Sequence, residues 1–386
     1  MRVLVLANAT YADPPTRKVF DHVAAQGIEV MLAMPRRIIH PFGPSEVPPT
    51  PWPTPVKLEL LDTWYLHENG THVVMKGLPR LLRSYRPDVI HCVLEPWSLI
   101  CLQVLSILPF LPGKRPLFGV HPCETKPEQG GWLASRSRQT LYRGVLSHSD
   151  YFVGWSSLAI TAAQRLGLNA QPFAILPAVA VDQDIFYSPD NTEKSSLRSR
   201  LLGSDRNQPL IGYAGRLVTE KGVLDLVTAC EVLSRTSIAP ALCLLGDGPL
   251  SSQLRELSYS RPWMKLLPKT NITGVAEFLR AIDIFVLPSR TTTSWEEQFG
   301  LVLTQAMASG LAVVGSSSGA IPEVLTSYGR VYPEGDVHAL SQALRSILLN
   351  RPPSPVNEHL SRFTPHHLSQ QLLLIWHNAQ SSCSLP

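Results

Sequence analysis

The stretch Leu287–Glu323 limits the possible folds more than any other part of the chain. It reads L-P-S-R-T-T-T-S-W-E-E-Q-F-G-L-V-L-T-Q-A-M-A-S-G-L-A-V-V-G-S-S-S-G-A-I-P-E. The apolar run Ile284–Leu287, closed by Pro288, suits a buried strand. Leu301–Ser309 is apolar at helical spacing, with Gly310 placed as a stop. Leu311–Val314 is a second buried strand, running into the small, polar loop Gly315–Gly319. Strand, loop, helix, strand, loop is the order of an open parallel sheet, whose ligand crevice lies at the carboxyl ends of the strands. A helix starting at Gly300 aims its free N–H groups and positive dipole end at that crevice. The ligand expected there is an anion, most simply a phosphate.

The rest of the chain repeats this architecture. Arg2–Ala7, a helix over Arg17–Gly27 and Ile28–Ala33 make a β-α-β opening, which argues for a parallel sheet covered by helices. Pro41–Pro55 reads as an irregular proline-rich loop. Thr71–Tyr85 reads as a helix with Lys76, Arg80, Arg83 and Arg86 on one face. A solvated face is the simpler reading of that stripe, and a membrane-contacting patch the alternative. Strands follow at Asp88–Cys92, Leu117–Val120, Ser149–Val153 and Phe173–Leu176. Ala178–Ser188 has the character of a linker. A second half opens at Pro209–Ala214, continues through Ala241–Leu245 and Arg330–Tyr332, and includes a helix over Val337–Leu349. A last helix over Pro365–Asn378 carries an apolar stripe at Leu368, Leu372, Leu373 and Trp376. The expected fold is therefore α/β with two Rossmann-like, doubly wound domains. They comprise residues 1–185 and 186–358, and a helix of about 360–380 packs back on the first.

Composition excludes some functions. The chain has 386 residues, 44% of them hydrophobic and 17% charged, as in an ordinary globular protein. Its net charge of +4 lies wholly in residues 1–150. That bias is too weak for a nucleic-acid partner, and it leaves peripheral membrane contact through the first domain as an option. The six cysteines form no CxxC pair, so buried free thiols are expected rather than a zinc site or a disulfide frame. The start M-R-V-L-V-L-A-N has too short an apolar core for a signal peptide, and Leu99–Pro112 is too short to span a bilayer. A cytoplasmic protein is expected, with contact at the inner membrane face as the alternative.

Two loops carry the chemistry. Arg216 and Lys221 flank the tight turn Gly215–Gly222 between strand and helix. There a planar fork and a point charge are set to grip a diphosphate. Glu297–Gly300 opens the second loop's helix. His121 stands at another strand end, where a structural and a functional histidine are equally expected. The pair Asp182 and Asp184 is a lone DxD on a linker and is discounted as a metal site. The loop Asn8–Thr16 has no glycine, so the GxGxxG loop of a nicotinamide-dinucleotide oxidoreductase is missing.

In these residues the second half resembles the catalytic domain of the retaining glycosyltransferases of family 4, the "group 1" enzymes of GT-B fold. The matching pieces are G-Y-A-G-R-L-V-T-E-K-G-V, L-L-G-D-G-P-L, A-I-D-I-F-V-L-P-S-R, E-Q-F-G-L-V-L-T-Q-A-M-A-S-G-L-A-V-V, G-A-I-P-E-V and Y-P-E-G-D. P-D-V-I-H, Glu95-Pro96-Trp97 and the V-D-x-x-x-F linker resemble members that build polysaccharides. The resemblance implies two domains facing a central cleft. It also implies transfer from a UDP- or GDP-sugar with retention of configuration, no further cofactor and no obligate metal. Arg216 and Lys221 would hold the donor diphosphate, and Glu297 and His121 the donor sugar. Gly215, Gly246, Gln298, Phe299, Gly300, Leu301 and Gln305 would line the nucleotide. The acceptor, a glycan or lipid-linked molecule, would bind mainly to the first domain. The second glutamate of the family's E-x7-E motif falls on Gln305, at the ribose position. A neutral amide still bonds a diol but loses the charge-assisted part. That departure motivates the alternative of a degenerate, nucleotide-binding partner protein.

Overall fold

The computed structural model describes residues 1–8, 14–40, 43–46, 55–65, 73–127, 131–168, 172–202, 208–350 and 357–382. Most of the loop Asn8–Thr16, much of the proline-rich stretch after Pro41, the prolines near 352 and Cys383 lie outside the described residues. The chain divides into two compact units. One is Met1–Ala180 with Pro365–Pro386, the other Val181–Thr364.

The first unit contains strands β1 (Arg2–Ala7), β2 (Glu29–Pro35), β3 (Arg37–His40), β4 (Gly43–Glu46), β5 (Lys57–Leu61) and β6 (Thr63–Tyr65). It continues with β7 (Val73–Met75), β8 (Val89–Val93), β9 (Leu117–Val120), β10 (Tyr151–Gly154) and β11 (Phe173–Ile175). A seven-stranded sheet runs β11-β10-β9-β8-β1-β2-β5, and each of its pairings is parallel. Val3 to Ala7 are wholly buried, as are Val89, Ile90 and Cys92. Near-continuous apolar strands of this kind belong to a sheet covered on both faces. Each fully buried Val or Leu side chain contributes about 1.5–3 kcal/mol relative to exposure.

Part of this unit corrects the sequence reading. The helix expected over Thr71–Tyr85 is a strand, β7, followed by a helix only over Leu78–Tyr85. Gly77 lies between them at φ 80, and Pro79 sits at the helix start. The apolar spacing of Val73 and Met75 belongs to a strand that pairs with β6. The Gln103 side chain also bonds both backbone groups of Met75. Arg80 and Arg83 are exposed on the shortened helix. Lys76 precedes it, with its ammonium 5.2 Å from the Trp64 ring centroid. The expected irregular loop after Pro41 includes β4, which forms a hairpin with β3.

The helix Pro365–Ser382 belongs to the first unit, packing on the helix Pro14–Ala25 and on β9, β10 and β11. Its inward face is Leu368, Leu372, Ile375, Trp376 and Ala379, the i, i+3, i+4 stripe of a core-facing helix.

The second unit contains β12 (Leu210–Ala214), β13 (Ala241–Leu245), β14 (Met264–Leu267), β15 (Ile284–Leu287), β16 (Ala312–Ser316) and β17 (Arg330–Tyr332). They form a parallel sheet in the order β14-β13-β12-β15-β16-β17. The strand order reverses between β12 and β15, so the loops leaving these two strands flank the switch point, where such sheets take ligands. Cys92, Cys101, Cys230 and Cys243 are buried free thiols, and Cys123 is a half-buried one.

Candidate functional site

The loop after β12 contains Gly215 and Arg216 and ends in a single turn, Thr219–Lys221, that feeds the helix Val223–Ser234. The loop after β15 runs from Pro288 to Phe299 and ends at Gly300, the N-cap of the helix Leu301–Ala308. These two loops, 76 positions apart, meet side chain to side chain. The Lys221 ammonium donates to Glu297 Oε2 at 2.6 Å, and the Ser289 hydroxyl donates to the same oxygen at 2.7 Å. Glu297 is 6% exposed. Its other oxygen has no partner among the described residues. A carboxylate oxygen with open lone pairs on a largely buried residue is suited to accept a ligand's hydroxyl. The Lys221 ammonium also lies 4.7 Å from the Trp295 ring centroid, a cation–π contact that adds to its placement.

The backbone around Glu297 is clamped. Its carbonyl accepts the Ala320 N–H at 2.8 Å, and its N–H reaches the Ser318 hydroxyl at 3.5 Å. Gly319 has φ +53, and a Cβ there would come within 2.0 Å of the Glu297 carbonyl oxygen. Only glycine fits that approach. Arg290 forks onto Asp225 at 2.6 and 2.5 Å, and its N–H bonds the Glu220 carbonyl at 2.8 Å. A two-point Arg–carboxylate pair fixes geometry as well as charge. Here it ties the start of the second loop to the first loop's helix.

Arg216 is exposed, and its carbonyl accepts the Tyr213 hydroxyl at 2.6 Å. Burial, with the Glu297 charge adding, pushes the Tyr213 phenol up, so it stays a donor. Gly215 and Gly246 touch: a Cβ on Gly246 would lie 1.9 Å from the Gly215 carbonyl oxygen. Gln298 and Leu301 are half-buried at the helix start. Phe299 turns inward, edge-to-face on Phe363 with centroids 5.9 Å apart. Gln305 lies on the helix that Gly300 caps and is 7% exposed, and its side-chain amide makes no hydrogen bond among the described residues. Its amide is thus available to a ligand that can bond it.

His121 belongs to the first unit. It is 1% exposed, and both of its ring nitrogens are engaged. Its Nε2 faces the Leu176 carbonyl at 2.8 Å and so carries the proton. Nδ1 then accepts from His91 Nε2 at 3.1 Å. His91 Nδ1 in turn accepts the Tyr151 hydroxyl at 2.9 Å, and that oxygen takes the Trp376 indole N–H at 3.0 Å. Every donor in this line has one acceptor, and both histidines are neutral. Burial drives the His121 pKa down to about 4 and drives His91 well below its ordinary value, with His121 as a lesser cause.

At the end of β8, the Glu95 carboxylate accepts the N–H groups of Cys123 and Glu124 at 3.2 and 3.3 Å, and the Cys123 thiol. Burial, with the Glu124 charge second, raises Glu95 to about 7. Asp182, of the discounted DxD, folds onto the Asp184 N–H at 3.1 Å. Among the described residues no three His, Cys, Asp or Glu side chains are placed to hold a metal ion. No helix among them is long and apolar enough to cross a membrane.

Sequence reasoning missed Ser289, Trp295, Ser318, Asp225 and Arg290. Their roles come from contacts at long sequence separation. The one available signal was the position of Ser289 just past the proline that closes a buried strand.

Residues 198–365 match the family model of "Glycosyl transferases group 1". The chain is 26% identical over 348 residues to the 2-deoxystreptamine N-acetyl-D-glucosaminyltransferase of Streptomyces fradiae, covering 83% of this chain and 78% of that one. It is 31% identical over 229 residues to a GDP-mannose-dependent phosphatidylinositol monomannoside mannosyltransferase of Corynebacterium glutamicum, covering 58% of this chain and 59% of that protein. Among solved structures, the sucrose-phosphate synthase of Thermosynechococcus elongatus superposes with a TM-score of 0.74 at 16% identity, covering 99% of this chain and 100% of that one. HepE of Anabaena in complex with UDP does so with a TM-score of 0.72 at 16% identity, over the whole of both chains. The structural likeness shows the fold alone. The chain thus has a GT-B fold of two Rossmann-like units, and its residues 198–365 are similar to the group 1 glycosyl transferases.

Proposed function

We propose that the chain moves a sugar from a UDP- or GDP-sugar to a glycan, lipid-linked or small-molecule acceptor, with retention of anomeric configuration. One observation carries the reading: Lys221 and Glu297, from the loops at the switch point of the second unit's sheet, meet at 2.6 Å and leave the second carboxylate oxygen of a largely buried residue open. In this reading Arg216 and Lys221 neutralise the diphosphate as it leaves, together with the helix start at Gly300. Glu297 holds the donor sugar through its open oxygen. The unpaired amide of Gln305 takes the ribose diol. Attack comes from the leaving-group face, with no obligate metal. The second unit is the donor side, and the first receives the acceptor, with its exposed Arg80 and Arg83 available for peripheral contact with a membrane. His121 is closed off by its two bonds and holds the Leu176 carbonyl within the first unit. HepE, solved with UDP, and the GDP-mannose-dependent relative support a nucleotide-sugar donor.

A thermal-shift screen of UDP, GDP, ADP and their sugars, followed by mass-spectrometric detection of hydrolysis, tests the reading. A rise in melting temperature with UDP or GDP and release of that nucleotide from its sugar are expected. Stabilisation by a nucleotide with no turnover of any sugar would favour the degenerate-partner alternative. No stabilisation by any nucleotide would defeat both.

A further inference from the structure

The loop that carries Glu297 is exposed from Arg290 to Ser294, so the carboxylate must be steadied from elsewhere. Two side chains reach it, and both bond Oε2. Lys221 is assigned above to the diphosphate, and a phosphate at that ammonium competes with the carboxylate for the same charge. Ser289 has no such second duty. It is wholly buried, one residue beyond β15, and its carbonyl accepts the Ser316 hydroxyl at the end of the neighbouring strand β16. Ser318, also wholly buried, bonds the Glu297 N–H and the Thr291 hydroxyl. Hydroxyls anchored at the ends of two paired strands therefore frame Glu297.

We infer that Ser289 is the positioning residue of the site: its hydroxyl keeps Glu297 Oε2 in place when Lys221 turns to the diphosphate, and so keeps the other oxygen aimed at the donor sugar. The inference rests on the proposed transferase reading. It also makes a purely structural claim, that Ser289 alone suffices to hold the carboxylate when Lys221 is gone. A positioned group that drifts by about 1 Å loses rate rather than binding.

Two experiments test it on the full chain. In crystals of Lys221→Ala the Glu297 carboxylate should stay ordered at its present place, and in Lys221→Ala/Ser289→Ala it should leave that place by more than about 1 Å. A carboxylate that stays put in the double variant, or is already displaced in Lys221→Ala, overturns the inference whatever the chain's activity. In kinetics with UDP-glucose and GDP-mannose, Ser289→Ala should lower kcat about tenfold. UDP and GDP dissociation constants from calorimetry should move by less than about twofold. Unchanged kcat, or a loss confined to KM, overturns it. If the unsubstituted chain turns over neither sugar nucleotide, the transferase reading fails, and the crystals still decide whether Ser289 holds Glu297.

Discussion

Arg216 and Lys221 differ in what their removal uncovers. Arg216 is exposed, so Arg216→Ala should remove turnover and weaken UDP or GDP binding while the melting temperature stays within about a degree. Lys221→Ala should do the same to turnover and also leave the buried Glu297 carboxylate short of its cation. That costs about 2 kcal/mol, less than a fully buried pair because Lys221 keeps some solvent access, and lowers the melting temperature by a few degrees. Differential scanning fluorimetry separates the two. Gln305 gives a further test. If its unpaired amide bonds ribose, Gln305→Glu should hold or tighten nucleotide affinity. Gln305→Leu should raise the dissociation constant about tenfold, the equivalent of one lost polar contact. Identical calorimetric affinities in all three forms would remove the ribose role. The loops that carry Arg216, Lys221 and Glu297 were legible in the sequence because glycines mark them. Ser289 and Trp295 could not, because their meaning is a partner met only after the sheet has assembled.

Among the elements, the helix Pro365–Ser382 is attached through a side-chain hydrogen bond as well as its apolar stripe. Trp376, Tyr151, His91 and His121 form one directed line of hydrogen bonds ending at Leu176. In the unfolded chain a histidine takes up a proton below pH about 6.5, whereas the folded His121 stays neutral to about pH 4. Between these values the unfolded state binds the extra proton. The stability from this ring is therefore complete above pH about 6.5 and falls by about 1.4 kcal/mol per pH unit on acidification toward 4. His91 acts in the same direction. His121→Gln can still bond Leu176 but does not titrate, so urea unfolding from pH 7 to 4 should show a shallower acid slope than the unsubstituted chain. An equal slope would place the acid sensitivity elsewhere. The apolar stripe of this helix was legible from its spacing, and its hydrogen-bond line was not. The misread helix over Thr71–Tyr85 has a plain cause: an apolar Val-Val-Met segment beside a helical one keeps a plausible 3.6 spacing, and only the pairing of β7 with β6 decides it.

For the whole molecule, the two parallel sheets were legible because buried strands are nearly continuous apolar runs. The edge strand β5 and the two hairpins were not, since short strands of mixed polarity give little period. Two units with separate cores should melt as two transitions, and calorimetry in the presence of UDP or GDP should raise only the one belonging to Val181–Thr364. Equal shifts in both would count against confining the nucleotide to the second unit. The placement of Trp376 inside the first unit has a consequence for synthesis. The first 180 residues leave the ribosome before the second unit and wait for an indole made 196 positions later. At about 5–20 residues per second that wait is roughly 10–40 s, during which Tyr151 and the face beneath it stand open to water and to other nascent chains. The unit begun first is thus the one completed last, and it is the natural client for a chaperone that covers apolar surface during translation.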